Sequence, residues 1–468
     1  MKISLKKFIS YITLLIITFC ILFLSREFIS NYFAKVNLNE LNINFNNKKL
    51  LIIAPHNDDE SLGACMLIKK AIMEHGKVNV VFITNGDGFK KAAIINNLKI
   101  RIKPLDYIKF GYERQKESIK ALGIVGVSQN DIIFLGYPDG GIDNLWMNNW
   151  DNKNPYTSPY THCNKSPYSN CYNKSAIYCG EDLAKDIEEI IQDYKPDYIV
   201  FPHANDRHPD HWATYCFVKY ALTDLKYNAK EILYLVHRGD WPAPLKKDTS
   251  INLIPPAKLI NTGTIWYKLS LNNDEIELKE KIIHSYKTQI KALAPLMNAF
   301  IRKNELFGEL DNKDMVTFEN DDSKIIPNKN NKIIYDPTQD EIKLNISKSS
   351  DIKGVYAEIS NQDNLHIFLE TTRNINRYIT YNFNIFFFNN EVKRLNISIY
   401  NNRMILKTKS KLSIVNTNGI SFTKKGHLIH IVISKNIINE FKHIFINVNT
   451  SFKGEILDNT AWTMVDIK

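Results

Sequence analysis

The feature that most constrains the fold is an alternation of apolar runs and amphipathic helical patterns that begins near residue 50. The apolar runs are rich in Ile, Leu and Val, as strands buried on both faces of a parallel sheet usually are, and they occupy 50–54, 78–84, 132–135, 198–201 and 232–236. The helical patterns between them occupy 62–75, 112–122, 181–194 and 211–225. We therefore predict an α/β domain with a Rossmann-like, mostly parallel sheet and helices on both faces. In proteins with such a sheet, the ligand-binding and catalytic residues lie at the carboxyl ends of the strands.

We place this α/β domain at 49–307 and expect a different structure after it. Residues 308–335 are polar and are predicted to form a linker. Over 336–468 the pattern changes to short alternating strands separated by Asn, Lys and Gly turns, which predicts an antiparallel β-sandwich. Two interpretations of its aromatic side chains are open, sugar binding at the surface or packing in the core. The side chains in question are Tyr378, Tyr381 and Trp462.

The N-terminus has the pattern of a membrane anchor. Three lysines within the first seven residues precede an uncharged apolar run over 8–24. As a helix this run would be ~25 Å long, near the lower limit for crossing a bilayer. It does not end at the small residues of a cleavage site, so we favour an uncleaved anchor over 1–28 and a tether over 29–48. Because the lysines precede the apolar run, we expect the N-terminus in the cytoplasm and the body of the protein outside it, anchored to the membrane. If the segment is instead a cleaved signal peptide, the protein would be secreted.

A polar, tyrosine-rich segment over 141–180 contains three of the six cysteines, Cys163, Cys171 and Cys179. An extracytoplasmic location would allow a disulfide there, and we predict Cys163–Cys171, with three free thiols as the alternative. A segment this long without a clear period is usually functional or disordered. Its many aromatic residues lead us to expect an ordered lid or wall.

The charge of the chain argues against nucleic-acid binding. The 60 Lys and Arg residues outnumber the 50 Asp and Glu residues, which gives a formal charge of +10, but the basic residues are spread along the whole chain. A nucleic-acid site needs a concentrated basic patch. We therefore expect no nucleic-acid partner, and the oligomeric state is left open.

Two short segments rich in His and Asp follow predicted strands. Residues 56–60 read HNDDE after the strand at 50–54, and residues 208–211 read HPDH after the strand at 198–201. Adjacent carboxylates repel one another and lose solvation when buried, so the first segment is either a solvated turn or part of a cation site. Both segments lie at strand ends of one predicted sheet, and this favours the cation site.

A divalent metal ion explains the residue types of both segments. His56, Asp59 and His211 would supply two nitrogens and one oxygen and leave a position open for water, as in catalytic zinc sites. Zinc would bring the pKa of that water towards neutrality. The same donor set also suits Fe²⁺ in oxygen-using enzymes, which is the alternative.

The remaining acids and imidazoles of these segments are candidates for proton transfer. Asp58 could take a proton from the water as a general base. His208 could stabilise an oxyanion or protonate a leaving amine, and Asp210 could hold the His208 ring in orientation. Asn205 and Asp206 could merely cap the following helix.

The two motifs resemble those of the LmbE-like, or PIG-L, family of zinc-dependent N-acetylglucosaminyl de-N-acetylases. The family has Pro where this chain has Asn57, which is not a predicted ligand. Further matches are Arg114 with Glu117, FLGYPDG at 134–140, LVHR at 235–238 and YKTQ at 286–289. The resemblance covers roughly 48–295 and includes neither the predicted anchor nor the predicted sandwich.

The resemblance implies roles for individual residues. It implies zinc binding by His56, Asp59 and His211, Asp58 as the general base, and support of a tetrahedral intermediate by His208. It also implies that Arg114 and Asp139 contact sugar hydroxyls. A structural ion pair is the alternative for Arg114, and His237 could line the pocket or pack at the end of its strand.

The expected activity is removal of the N-acetyl group from an N-acetylglucosamine-type sugar. The predicted anchor and the additional C-terminal segment favour an extracytoplasmic glycan or glycolipid as the substrate. Two other functions are left open: a non-haem iron enzyme that uses the same two-His-one-Asp site, and an inactive glycan-binding surface protein.

Overall fold

The computed structural model describes residues 26–239, 241–310, 313–315, 317–318, 326–340, 348–360, 362–389, 392–407, 419–438 and 441–467. Residues 39–310 contain an eight-stranded sheet with the strand order β1-β7-β8-β6-β5-β2-β3-β4. Its strands are β1 (Asn39–Glu40), β2 (Lys49–Ala54), β3 (Lys77–Thr84), β4 (Ile132–Tyr137), β5 (Tyr198–Pro202), β6 (Lys230–Tyr234), β7 (Thr264–Ser270) and β8 (Asn304–Leu310). Strands β2 to β6 pair in parallel, whereas β8 runs antiparallel to β6 and β7. The predicted mostly parallel sheet is confirmed.

Helices cover both faces of this sheet. The described helices are α1 (Arg26–Phe33), α2 (Asp59–Met73), α3 (Lys90–Asn97), α4 (Pro104–Val125), α5 (Ile142–Met147), α6 (Gly180–Tyr194), α7 (Pro209–Asp224), α8 (Asn273–Ile283), α9 (Lys287–Asn298) and α10 (Lys435–Ile438). Alternate residues of β2 enter two separate cores: Leu50 and Ile52 pack with α2 and α8, and Leu51 and Ile53 pack with α6 and α7. Side chains of a strand alternate between faces, so the continuous apolar run of β2 requires this double cover.

The C-terminal region consists of two mainly antiparallel sheets that share one core. The strands are β9 (Lys313–Met315), β10 (Thr317–Phe318), β11 (Lys332–Tyr335), β12 (Ile352–Ser360), β13 (Leu365–Thr371), β14 (Thr380–Phe388), β15 (Val392–Tyr400), β16 (Arg403–Lys407), β17 (Ile420–Lys425), β18 (Leu428–Ile433), β19 (His443–Phe452), β20 (Glu455–Asn459) and β21 (Thr463–Ile467). One sheet holds β10–β13, β17 and β18, and the other holds β9, β14–β16 and β19–β21. Ile367 and Leu369 of the first sheet pack in the same core as Phe383 and Ile385 of the second. Part of the segment that we expected to be a linker thus contributes strands β9 to β11.

The C-terminal sheets pack directly on the α/β region through aromatic side chains. The ring of Trp146 in α5 lies 5.2 Å from that of Phe217 and 5.0 Å from that of Phe445. Trp462 joins this core and is buried, and Tyr381 is buried in the sandwich core, whereas Tyr378 is 55% exposed. The idea that Trp462 and Tyr381 are exposed sugar-binding side chains is therefore wrong, because both fill hydrophobic cores.

The structure does not describe the predicted membrane anchor, and it contradicts the predicted disulfide. No helix among the described residues is long and apolar enough to cross a membrane, and the predicted anchor run at 8–24 lies outside those residues. The predicted Cys163–Cys171 disulfide is wrong, because both cysteines are free. Each sulfur instead approaches a backbone carbonyl of its own turn, Cys163 that of Thr161 and Cys171 that of Asn173.

Candidate metal centre

The two His- and Asp-rich segments meet at one edge of the sheet. Strand β2 ends at Ala54 and α2 begins at Asp59, while the neighbouring parallel strand β5 ends at Pro202 and α7 begins at Pro209. Parallel neighbours present their carboxyl ends at the same edge, so the two strand-to-helix turns lie side by side.

The predicted ligands His56, Asp59 and His211 come together in this place. Asp59 Oδ2 lies 3.1 Å from His56 Nδ1 and 3.1 Å from His211 Nε2, and the two nitrogens are 3.2 Å apart. All three side chains are buried. Three lone-pair atoms thus form a nearly equilateral triangle.

The triangle has the size that a small divalent ion needs. Donors about 2.0–2.1 Å from a tetrahedral zinc ion are about 3.3–3.4 Å apart, close to the observed separations. Two imidazoles and one carboxylate also match the borderline character of zinc. The residues therefore fit the ion that the sequence predicts.

His56 is oriented by two carboxylates on the side away from the triangle. Its Nε2 lies 3.0 Å from Asp210 Oδ2 and 3.1 Å from Asp139 Oδ1. The carboxylate of Asp210 also accepts hydrogen bonds from the backbone N–H groups of Gly140 and Ile142. Such partners fix the tautomer of a ligand and raise its basicity. The prediction that Asp210 orients His208 is therefore wrong, because its carboxylate faces His56 and only its backbone N–H reaches the His208 ring.

Asp206 holds the second ligand histidine, a role that sequence analysis missed. Its Oδ2 lies 3.1 Å from His211 Nδ1 and also accepts from the backbone N–H groups of Val236 and His237. Its Oδ1 accepts from the His208 N–H at 2.9 Å. The N-cap of α7 is His208, whose ring accepts the Asp210 N–H, so the idea that Asp206 caps this helix is wrong. Burial alone would raise the pKa of Asp206, but the charge and hydrogen bond of His211 bring it well below its usual value.

Without an ion, the triangle favours protonated imidazole. Burial disfavours a charged ring, yet the carboxylates of Asp206 and Asp59 raise the pKa of His211 to about 9. The pKa of His56 is likewise raised, against burial, by hydrogen bonds with Asp139, Asp210 and Asp59. An incoming cation must therefore displace protons.

Asp58 directs its carboxylate into the open space beside the ligands. Its backbone φ is 129°, and its side chain makes no capping bond to α2 although it precedes that helix. A non-glycine residue in this region costs of order 1–3 kcal/mol, which the surrounding structure must offset. Glu60 helps to hold the turn, since its carboxylate accepts from the Asp58 N–H and from the hydroxyls of Ser61 and Tyr286.

The environment of Asp58 suits a group that exchanges protons near neutral pH. Burial raises its pKa to about 8, with the charge of Asp59 acting in the same direction and that of Arg114 opposing it. Arg114 Nη2 lies 3.3 Å from Asp58 Oδ2. A bound cation would lower the pKa of Asp58 from this raised value.

His208 is held as a neutral hydrogen-bond donor. Its Nδ1 accepts the backbone N–H of Asp210 at 3.2 Å, so the proton of the neutral ring belongs on Nε2. Burial, together with the charged rings of His56 and His211, lowers the pKa of His208 to about 4. Its ring centre is 4.7 Å from that of His56, at the edge of the ligand triangle.

Arg114 and Asp139 have structural contacts in addition to their predicted role in binding sugar hydroxyls. Arg114 donates to the backbone carbonyls of Gly86 and Asn57, which fixes the turn before Asp58. Asp139 accepts from the Gly88 N–H at 2.6 Å, and the hydrogen bond with His56 overcomes the effect of burial and lowers the pKa of Asp139 to about 2. Contact of either side chain with a sugar stays a prediction.

A cavity with about 410 Å³ of water-accessible space opens over the ligands. Its polar wall holds Asp58, Arg114, Asp139, His208 and His237. Burial, together with the charge of His211, lowers the pKa of His237 to about 3, so this ring is neutral. The apolar wall holds Leu62, Phe89, Leu293, Leu296 and Met297, and Tyr160 from the segment at 141–180 completes the rim. That segment is an ordered wall, as expected.

The other matching motifs position the apolar wall. Glu117 of α4 accepts the N–H and the hydroxyl of Thr288 at 2.8 and 2.6 Å, at the start of α9. Tyr286 donates to Glu60 from the same turn. These bonds fasten α9, which carries Leu293 and Met297, against α4 and α2.

The comparison with protein families decides which kind of domain this is. Residues 51–222 match the family model described as PIG-L, GlcNAc-PI de-N-acetylase. These residues are a PIG-L domain. The match includes the ligand triangle, Asp58, His208 and Arg114, and it ends within α7. The predicted family is confirmed.

The chain is also similar to several solved structures. The chain is similar to N,N'-diacetylchitobiose deacetylase from Pyrococcus horikoshii, with 19% identity, 56% of this chain and 82% of that chain covered, and a TM-score of 0.35. It is 18% identical to a deacetylase of teicoplanin biosynthesis, with 56% of this chain and 96% of that chain covered and a TM-score of 0.35. It is 12% identical to the 4-carboxy-2-hydroxymuconate hydratase GalB from Pseudomonas putida, with 54% of this chain and 82% of that chain covered and a TM-score of 0.31. No curated protein matches the sequence.

Proposed function

We propose that this chain is a metal-dependent hydrolase that removes the N-acetyl group from an N-acetylglucosamine-type sugar. The observation that carries this proposal is the ligand triangle with Asp58 and His208 around one cavity of a PIG-L domain. The family description, GlcNAc-PI de-N-acetylase, supports an acetamido sugar as the substrate class.

His56, Asp59 and His211 would hold the metal ion. A divalent ion there would supply Lewis-acid activation of a water molecule and of the amide carbonyl. We propose Zn²⁺, because two imidazoles, one carboxylate and an open position are a common catalytic zinc set. Fe²⁺ is the alternative that this donor set accepts.

Asp58 would move the proton of the attacking water. The water oxygen bonds to the carbonyl carbon while its proton passes to Asp58. Asp58 then returns that proton to the nitrogen as the C–N bond breaks, so the products are acetate and a free amine. A group that both accepts and gives a proton works best with a pKa near the working pH.

His208 would stabilise the negative charge that develops on the carbonyl oxygen. Its Nε2–H is a neutral donor whose direction is fixed from behind by the Asp210 N–H. Fixed donors in a cavity that excludes water stabilise such charge more than mobile water can.

The two walls of the cavity suit a sugar ring. Its hydroxyls would meet Arg114 and Asp139, and its apolar face would meet Leu293, Leu296 or Met297.

We further propose a membrane-anchored, extracytoplasmic protein that acts on a glycan or glycolipid, on the basis of the apolar run at 8–24. Cleavage of that run would give a secreted form.

Acetate release tests the proposal. The full-length protein, loaded with Zn²⁺, is incubated with N-acetylglucosamine, its oligomers and GlcNAc-phosphatidylinositol, with and without a chelator. We expect release from at least one of these substrates, and we expect the chelator to stop it. Absence of release from all of them by zinc-loaded protein would contradict the proposal.

Asp58→Asn is the matched variant for this assay. It keeps the size of the side chain but removes its basicity, so we expect zinc binding to persist while turnover falls by about 10²–10⁴-fold. Asp193→Asn, on the exposed face of α6, is the control and should retain full activity.

A further inference from the structure

Three buried carboxylates lie together outside the PIG-L site. Asp336 follows β11, Asp340 lies in the next turn, and Asp458 belongs to β20. Their exposures are only 9%, 4% and 1%. One carboxylate oxygen from each lies within 4.8 Å of the other two.

Two carboxylate oxygens of this cluster accept no hydrogen bond from any described residue. Asp336 Oδ2 and Asp340 Oδ1 are buried and have no partner within the part of the chain that the structure describes. A buried carboxylate oxygen without a donor loses its solvation and gains nothing in exchange. Such atoms are rare in folded proteins and point to a missing ligand.

Among the described residues, basic side chains contact only one of the three carboxylates directly. Asp340 Oδ2 lies 2.6 Å from Arg238 Nη2 and 3.5 Å from Arg207 Nη2. Asp458 accepts backbone N–H groups, from Ile352 at 2.7 Å among them, and no ion pair of Asp336 or Asp458 exists among the described residues. Burial and the neighbouring carboxylates raise the pKa of Asp336 and of Asp458, because no cationic group directly contacts either carboxylate within the described part of the chain.

We propose that Asp336, Asp340 and Asp458 bind a Ca²⁺ ion between the C-terminal sheets and the PIG-L domain. Oxygen atoms within 4.8 Å of one another can all be reached by one ion, since Ca–O distances are about 2.3–2.6 Å. The site offers oxygen donors only, which suits a hard cation and not zinc. The nearby buried Asp351 adds further negative charge.

A second cavity lies beside two of the three carboxylates. It has about 140 Å³ of water-accessible space and is lined by Asp340 and Asp458. It is large enough for water molecules to complete the coordination of Ca²⁺, which takes six to eight oxygens. The aromatic ring of Trp462 closes one side.

The site connects the C-terminal sheets to the loops of the metal centre. Arg207 and Arg238, the partners of Asp340, directly follow Asp206 and His237 in the chain. Arg207 also donates to the Asp340 backbone carbonyl at 2.9 Å. Bound Ca²⁺ would therefore stabilise the folded chain, since the ion binds only where residues 336–340 and 458 are assembled.

Thermal unfolding of the full-length protein tests the site. The protein is freed of Ca²⁺ with a calcium-selective chelator, and its unfolding temperature is followed as CaCl₂ is added. We expect a saturable rise of several degrees, with about one Ca²⁺ bound per chain by calorimetric titration. Absence of both binding and stabilisation would overturn the proposal, and an equal response to Mg²⁺ would overturn the assignment to calcium.

Variants locate the response within the chain. The double variant Asp336→Asn/Asp458→Asn should lose the Ca²⁺ response and, because repulsion is removed, should be more stable than the Ca²⁺-free parent. Asp363→Asn, whose side chain is 66% exposed, and His211→Ala, which lacks a zinc ligand, should both keep it. An unchanged response in the double variant, or loss of the response in His211→Ala, would contradict the site. If the double variant fails to fold, the number of Ca²⁺ ions bound per chain by the parent and by His211→Ala decides whether the site exists. About one ion in both supports the proposal, and none in the parent overturns it.

Discussion

The Nε2 atom of His211 lies 3.2 Å from the Nδ1 atom of His56, although 155 positions separate the two residues in the chain. Two neutral or charged imidazoles gain little from such an approach on their own. The contact becomes favourable when a cation lies between them and Asp59, because its charge replaces the protons that the rings otherwise hold. The predictions below follow from this relationship.

Replacement of Asp206 should weaken metal binding without removing a ligand. Asp206→Asn keeps the hydrogen bonds to Val236 and His237 within reach of its amide oxygen but removes the charge behind His211. We expect zinc affinity to fall about 10–100-fold, as for other carboxylates behind a ligand histidine. Competition with a zinc-binding dye measures this, with Asp193→Asn as the control. Unchanged affinity would show that Asp206 does not tune His211.

Metal affinity should increase with pH over the neutral range. The pKa of His211 in the ion-free protein is about 9, so below that value a proton competes with the ion. Affinity should therefore fall as the pH falls, by about tenfold per pH unit for each proton displaced. Dye competition at several pH values gives the slope, after correction for protonation of the dye. A flat profile would contradict the protonation of the triangle.

Arg114 should set the pH dependence of turnover. Its charge opposes the effect of burial on the pKa of Asp58, so Arg114→Gln should raise that pKa. Asp58 must be ionised to accept a proton, and the acid limb of the pH–rate profile should therefore move to higher pH. A lower rate with an unmoved profile would instead assign Arg114 to substrate contact alone. Thermal unfolding of the variant controls for loss of the Gly86 and Asn57 contacts.

A buried ion pair behind the site should be essential for stability. Lys279 Nζ lies 2.7 Å from Glu305 Oε1, both side chains are fully buried, and Glu305 accepts the N–H groups of Met66 and Leu67 in α2. Lys279→Met leaves Glu305 charged and unpaired, which should lower the free energy of unfolding by about 3–5 kcal/mol.

The double variant Lys279→Met/Glu305→Gln tests whether the unpaired charge of Glu305 causes this loss of stability. Removal of both charges should restore part of the loss in a denaturant titration, since no isolated charge remains. Lys247→Met breaks an exposed pair with Glu280 and should change the unfolding free energy by less than about 1 kcal/mol. A similar loss in Lys247→Met would contradict the role of burial.

The sequence was sufficient to predict the ligand triangle because a general rule of parallel sheets brings strand ends together. Continuous apolar runs predicted β2 and β5, and the position of His56 and His211 after those runs then predicted their approach. The rule applies to backbone topology, so it needs no knowledge of side-chain packing.

The partners of the ligands could not be predicted in the same way. Asp210 points to His56, and not to His208, because the backbone N–H groups of Gly140 and Ile142 draw its carboxylate across the site. Those groups come from a loop far away in the chain. Asp206 lies only five positions before His211, but its carboxylate is also held by the backbone N–H groups of Val236 and His237, which are 30 and 31 positions further along the chain. Sequence spacing does not reveal those two contacts.

Zinc content of purified variants tests the central claim most directly. After equal loading and removal of loose ions, we predict about one zinc ion per chain in the parent and in Asp58→Asn, and almost none in His211→Ala or His56→Ala. Zinc retained at the parental level by both histidine variants would contradict the account, because the triangle of His56, Asp59 and His211 would then not be the metal centre.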